Sequence, residues 1–152
     1  MIEVHGVIQD ALDIMEPEIR KNGIALNCEL CRAPLHAIGG QLRLQQVIVN
    51  LLSNAIDASR DSEKPTCSLT TRCDDEHVYI EVADNGAGID VDVIDQVFEP
   101  FFTTKRPGSG LGLGLSISFN LIEDFGGNLS AHHQRGAGAL FRVRLTRDAT
   151  VH

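Results

Sequence analysis

Two pairs of alternating runs restrict this chain's folding more than any other feature of its sequence. CSLTTRC (67–73) and HVYIEVAD (77–84) flank Asp74-Asp75-Glu76, and NLSAHHQ (128–134) and ALFRVRLT (139–146) flank Arg135-Gly136-Ala137-Gly138. Each run is short and alternates in polarity; the first pair is rich in β-branched residues. Successive side chains on a strand point to opposite faces, so each run presents one apolar face that needs a cover. Short polar or glycine-bearing links between such runs predict antiparallel hairpins. IALNCEL (24–30) reads as a further strand and APLHAIGG (33–40) as a short extended piece closing on a glycine pair.

Helices supply the cover. Val7, Ile8, Leu12, Met15 and Ile19 recur at helical spacing, predicting a helix from Val4 to about Lys21 that Asn22-Gly23 terminates. Gln41 to Ser59 reads as a long amphipathic helix, Asp92 to Val97 as a short one, and Gly114 to about Phe125 as a third main helix. Between the last two lies a long irregular stretch, Phe98 to Gly110, of the length that usually carries function. The expected fold is α+β: a two-layer sandwich with a mixed, mostly antiparallel sheet of about five strands, covered on one face by three helices.

At 152 residues the chain fits one domain, 1–152, with enough apolar content (43%) to bury a core. Its formal charge of -8, from 21 acidic and 13 basic residues, without a basic patch, argues against nucleic acid and direct membrane contact. Apolar stretches such as VIVNLL and LIEDF fall far short of a membrane span, and the N-terminus lacks a secretory pattern. Cys28 and Cys31 have a metal-like spacing, but in a strand residues three apart diverge, so structural cysteines in a reducing compartment are expected.

Four segments carry chemistry. In NLLSNAIDA, Asn50 and Asn54 stand four apart on the second helix, so their carboxamides share a face. Neutral oxygens of this kind suit a hard cation already bound to phosphate, although two surface amides need no such role. Asp84-Asn85-Gly86-Ala87-Gly88 ends an apolar strand, where a buried carboxylate can accept from an exocyclic amine while glycines admit a flat ring. A plain strand-ending turn reads the same way. VFEPFFTTKRPG joins Phe98, Phe101 and Phe102 to Thr103, Thr104, Lys105 and Arg106, which reads as a lid or as a solvated loop on aromatic anchors. GSGLGLGLSIS (108–118) sets four alternating glycines before a helix, so backbone amides and the positive helix end can face an anion. It is neither a Walker loop nor a dinucleotide fingerprint, and a glycine hinge is the alternative.

In this order, Asn50 to Ala58, Asp84 to Gly88, Phe98 to Lys105 and Gly110 to Leu115 resemble the N, G1, F and G2 boxes of sensor histidine kinases. The resemblance spans about Val4 to Leu145 and implies the two-layer Bergerat ATP-binding fold shared with gyrase-type, chaperone and mismatch-repair ATPases. It implies ATP and Mg²⁺ as ligands. Asn54 would hold the metal, Asn50 would support metal and phosphates, Asp84 would take the adenine amino group, and Gly86 and Gly88 would shape the pocket. Gly110, Gly112 and Gly114 would border the triphosphate, under a lid of about 98–112. Asn50, Asn54 and Lys105 would form the catalytic set. Asp57, Ile89, Phe98, Thr103, Thr104, Leu111, Leu113 and Leu115 would complete the nucleotide contacts. Leu111 stands where Ser or Thr is common, since ten residues separate Leu115 from Gly126-Gly127.

Gyrase-like hydrolases carry a Glu one turn before the metal-binding Asn, where this chain has Asn50, which cannot accept a proton at neutral pH. Phosphoryl transfer is therefore favoured over hydrolysis. NAIDAS, EPFFTTK and LSIS followed by EDFGG look most like the nitrogen-regulation and C4-dicarboxylate-transport branch. Such a kinase also needs a dimerising helical hairpin with a phosphoacceptor histidine, and His5, His36, His77, His132, His133 and His152 lack that context. A monomeric catalytic fragment is expected, with the dimerisation and phosphoacceptor domain on another segment and a response regulator as indirect partner. The family places such a domain in the cytoplasm, with the parent protein in some cases anchored in the inner membrane. Other outcomes open to this fold are an ATPase, an anti-sigma-type serine kinase and a nucleotide-binding module without chemistry.

Overall fold

Helix α1 (Val4–Lys21) begins at Glu3, whose carboxylate accepts from the Gly6 amide at 2.6 Å, and ends at Asn22, whose side chain donates to the Glu18 carbonyl. Gly23 follows at φ +64, a backbone conformation that suits a residue without Cβ. The computed structural model describes residues 1–100, 114–134 and 138–148. Along α1, Val4, Val7, Ile8, Ala11 and Met15 form the buried stripe; of the periodic residues Val7, Ile8 and Met15 lie in it, while Leu12 and Ile19 pack partly buried at its margin. Pro17 lies inside the helix near its exposed end.

The main sheet holds β2 (Ala25–Glu29), β4 (Thr66–Cys73), β5 (His77–Asp84), β6 (Asn128–His133) and β7 (Ala139–Thr146), in the order β2-β4-β5-β7-β6. Only β2 and β4 pair in parallel, which their connection through helix α2 (Gln41–Ser59) permits; the other pairs are antiparallel. A second, two-stranded sheet joins β1 (Ile2–Glu3) to β3 (His36–Ala37). The sequence gives β3 as a short extended piece and does not reveal β1, because two residues carry no periodicity.

One face of the main sheet is covered by α1, α2 and α3 (Gly114–Asp124), as the fold class predicts. Leu69, Ile80, Val82, Val143 and Leu145 of the sheet meet Leu44, Val47, Ile48, Leu51, Leu52 and Ile56 of α2 in a single apolar core. Burying each such side chain contributes roughly 1.5–3 kcal/mol. On the opposite face Glu81, mostly buried, binds Arg72 at 3.2 Å and Arg142 at 2.9 Å. The short helix expected at 92–97 is a single 3-10 turn, Ile94–Gln96, none of whose three residues is buried, and the next residue, Val97, enters the core. Among the described residues no helix is long and apolar enough to cross a membrane.

Candidate functional site

Helix α2 is the spine of the site because it touches both halves. Near its middle Asn50 meets the start of α3, and near its end Ala58 meets the turn after β5. Eight residues at 1.5 Å each separate these contacts by about 12 Å along the axis.

At the β5 end, Asp84 is 3% exposed. Its Oδ1 accepts the Gly86 amide at 2.9 Å and the Ala139 amide at 3.4 Å. Its main-chain carbonyl accepts from Gln134 Nε2 at 3.0 Å. Burial pushes the carboxyl above its ordinary range, and the two amide hydrogen bonds oppose that rise. Among the described residues Asp84 has no cationic partner, which is unusual for a carboxylate this buried.

Glycine is sterically required around this carboxylate. A Cβ on Gly86 would stand 2.1 Å from the Ala58 carbonyl oxygen. Gly88, at φ +83, lies against the Gly138 backbone. The neighbouring Asn85 closes the rim, its Oδ1 accepting the Thr66 amide and its Nδ2 donating to the Lys64 carbonyl.

At the α3 end, Asn50 Nδ2 donates to Ser118 Oγ at 3.1 Å, and a Cβ on Gly114 would lie 2.5 Å from Asn50 Oδ1. An open groove of about 270 Å³ between α2 and α3 is lined by Gln46, Val49, Asn50, Ser53, Gly114, Ile117 and Ser118. Asn54, one turn along α2, is half-buried. Asp57 forms an ion pair with Arg60 at 2.7 Å. Two carboxamides one turn apart supply hard, neutral oxygens, a donor type that fits a magnesium ion delivered with phosphate, and the Asn50 carboxamide packs where a Cβ on Gly114 would stand.

The remaining sequence-predicted residues divide in two. Ile89, Phe98 and Leu115 pack against the core, Phe98 stacking on Phe119 with centroids 5.1 Å apart and meeting Phe141 edge-on at 6.2 Å. Thr103, Thr104, Lys105, Gly110, Leu111, Gly112 and Leu113, and the lid beyond Pro100, lie outside the described residues.

Gln134, Ala139 and Ser118 are contacts that sequence reasoning missed. Ser118 had a usable signal, since it stands four residues after Gly114 on the same helix face. The other two act from 50 and 55 residues away, which local pattern does not reveal. His132 lies in β6 and bonds Ser130 Oγ at 2.8 Å.

Residues 39–149 match the family of histidine kinase-, DNA gyrase B-, and HSP90-like ATPases. The C4-dicarboxylate transport sensor protein DctB of Pseudomonas aeruginosa is 36% identical over 145 residues, covering 95% of this chain and 24% of that protein. The chain thus spans about a quarter of that relative's length. The nucleotide-free catalytic domain of histidine kinase ThkA superposes with a TM-score of 0.84 at 30% identity, covering 95% of each chain. ThkA is also known in complex with the response regulator protein TrrA, in a chain of which 42% is covered at 28% identity. Full-length ShkA in complex with AMPPNP matches at 26% identity and a TM-score of 0.84, covering 97% of this chain and 31% of that one. The relatives named here are sensors and histidine kinases, including a C4-dicarboxylate transport sensor. This chain belongs to the histidine kinase-, DNA gyrase B-, and HSP90-like ATPase family, as a nucleotide-binding catalytic domain of the sensor histidine kinase type.

Proposed function

We propose that this domain binds Mg-ATP along α2 and positions its γ-phosphate for transfer to a histidine on a separate helical domain. The observation that carries this reading is Asp84: a carboxylate 3% exposed, held among the described residues by backbone amides alone and backed by glycines that leave no room for side chains. A carboxylate so placed has an acceptor oxygen to offer an exocyclic amine.

In this reading Asp84 selects adenine, and Gly86 and Gly88 admit the ring. Asn50 and Asn54 hold the magnesium and orient the phosphates, near the positive end of α3. The metal, when bound with nucleotide, screens the phosphate charge that builds up during transfer. Thr103, Thr104, Lys105 and the glycines 110, 112 and 114 would close over the triphosphate, with Asp57, Ile89, Phe98, Leu111, Leu113 and Leu115 around the nucleotide. None of the groups placed beside the phosphate end is a general base, since Asn50 and Asn54 are amides. The domain would then supply position and electrostatics, and the acceptor histidine would make the attack.

The partner is the histidine-bearing dimerisation domain of a longer parent, with a response regulator receiving the phosphoryl group afterwards. Complex formation between ThkA and its regulator supports the second half of that scheme. A cytoplasmic location follows, where both ATP and the regulator are found.

The test is a chimera with the dimerising helical hairpin of the dicarboxylate sensor DctB fused ahead of Met1, incubated with γ-labelled ATP. Acid-labile label on the hairpin histidine is the expected result, with negligible phosphate release from the isolated chain. Rapid phosphate release by the isolated chain would make it a hydrolase, and binding without transfer would make it a nucleotide-sensing module.

A further inference from the structure

We infer that Asn85 is a positioning residue for the adenine end of the site, tethering the turn whose amide orients the Asp84 carboxylate toward the base. That role rests on the Mg-ATP reading above. Asn85 follows Asp84 directly, where β5 ends and the chain turns away from the sheet. Its four polar groups all bond to one stretch, Ser62–Thr66, which leads from α2 into β4. The main-chain amide donates to the Thr66 carbonyl at 3.2 Å, and the main-chain carbonyl accepts the Ser62 hydroxyl at 3.0 Å. In the side chain, Oδ1 accepts the Thr66 amide at 2.9 Å and Nδ2 donates to the Lys64 carbonyl at 2.7 Å. A main-chain N–H only donates and a main-chain carbonyl only accepts, so these partners leave one orientation for the carboxamide.

A regular antiparallel hydrogen-bonded pair exchanges two main-chain bonds. Strands β4 and β5 keep register up to Cys67 opposite Asp84; at the next pair, Thr66 and Asn85, the side chain makes one of the two bonds instead. The Thr66 amide stays satisfied while the Asn85 carbonyl leaves the ladder for Ser62. The chain then reverses at once, and the reversal brings the Gly86 amide back onto Asp84 Oδ1 at 2.9 Å. This is the shorter of the two amide contacts to the carboxylate, the other coming from Ala139 at 3.4 Å. On one side the turn bears on α2, where Gly86 packs against the Ala58 carbonyl. Asn85 ties it from the other. Ser and Thr carry a single hydroxyl, ionised Asp has no donor and Gln is a methylene longer, so Asn alone offers a donor and an acceptor at this reach. Asn85 thus acts through Asp84, as a supporting residue that locks the geometry of a binding group.

Calorimetry in magnesium with two non-hydrolysable triphosphates tests this: an ATP analogue, and its counterpart with hydrogen in place of the 6-amino group. The readout is the ratio of the two affinities, which measures what the amine is worth to Asp84. A hydrogen bond to a charged acceptor sets that ratio at about ten to a hundred in the wild-type chain. Asn85→Ala is expected to lower it about fivefold or more, while affinity for the amine-free nucleotide stays within about twofold. The control is Val78→Ala, which removes a fully buried side chain six residues, or about 20 Å, along β5 from Asp84. It should leave the ratio unchanged.

An unchanged ratio in Asn85→Ala, an equal loss of both nucleotides, total loss included, or an equal fall in Val78→Ala overturns the inference. A wild-type ratio near one instead overturns the functional reading beneath it. Thermal melts identify a variant that fails to fold; if Asn85→Ala does so, Asn85→Ser, whose single hydroxyl cannot hold both main-chain groups, takes its place under the same criteria.

Discussion

Gly138 is folded so closely onto Asp84 that a Cβ built on it would stand 1.9 Å from the Asp84 carbonyl oxygen. This contact joins the start of β7 to the end of β5 and sets the Ala139 amide against the Asp84 carboxylate.

Gly138→Ala should therefore cost more than about 2 kcal/mol, because a clash with main-chain oxygen adds to a φ of +101. Gly23 has a φ of +64 but nothing within 4 Å of its added Cβ, so Gly23→Ala should cost only about 1 kcal/mol. Thermal melts of the two variants check the difference. Equal losses would mean that conformation, rather than the contact with Asp84, sets the cost.

Asp84→Asn is expected to stabilise the nucleotide-free fold while disabling the site. Burial raises the Asp84 carboxyl above its ordinary value of 3.8, so the folded state resists ionisation more than the unfolded chain does. Stability contributed by the protonated form is complete below 3.8 and is lost as pH rises through the higher folded-state value. The variant escapes that loss. Its advantage in melting temperature should be present at pH 7 and vanish as pH falls below 3.8. A destabilised variant at pH 7 would show that the carboxylate charge itself supports the fold.

Phe98→Ala should lower stability by about 2–3 kcal/mol, since Phe98 is half-buried against Phe119 of α3 and Phe141 of β7. For a chain of this size that is a fall of about 4–12 °C in melting temperature. Phe98→Leu should recover part of it. A melt unchanged in Phe98→Ala would remove Phe98 from the core and leave it a nucleotide contact alone.

The sequence is most legible where order is local and repeated. Val4–Lys21 and Gln41–Ser59 match their expected bounds because an amphipathic stripe recurs every turn, and both hairpins lie where alternation and turn residues agree. Elements decided by distant partners were not visible. The two residues of β1 become a strand only by pairing with β3, some 34 positions away, and the stretch expected as a helix forms only the single turn Ile94–Gln96, with Val97 alone of the expected 92–97 buried. The candidate site divides in the same way. Asp84, Asn50 and Asn54 were readable because each sits on a regular element whose face the periodicity defines. The groups that hold Asp84 and Asn50 arrive through tertiary contacts: Ala139 and Gln134 leave no trace in local spacing, and Ser118 leaves only its place four residues after Gly114.

The most direct measurement is calorimetry of a non-hydrolysable ATP analogue with the wild-type chain, Asp84→Asn and Asn54→Asp, each with and without magnesium. Magnesium-dependent binding by the wild type is the expected result, lost in both variants while their melts show a folded protein. Asp84→Asn binding the analogue as tightly as wild type would contradict the assignment of Asp84 to the adenine end, and with it the account of the site.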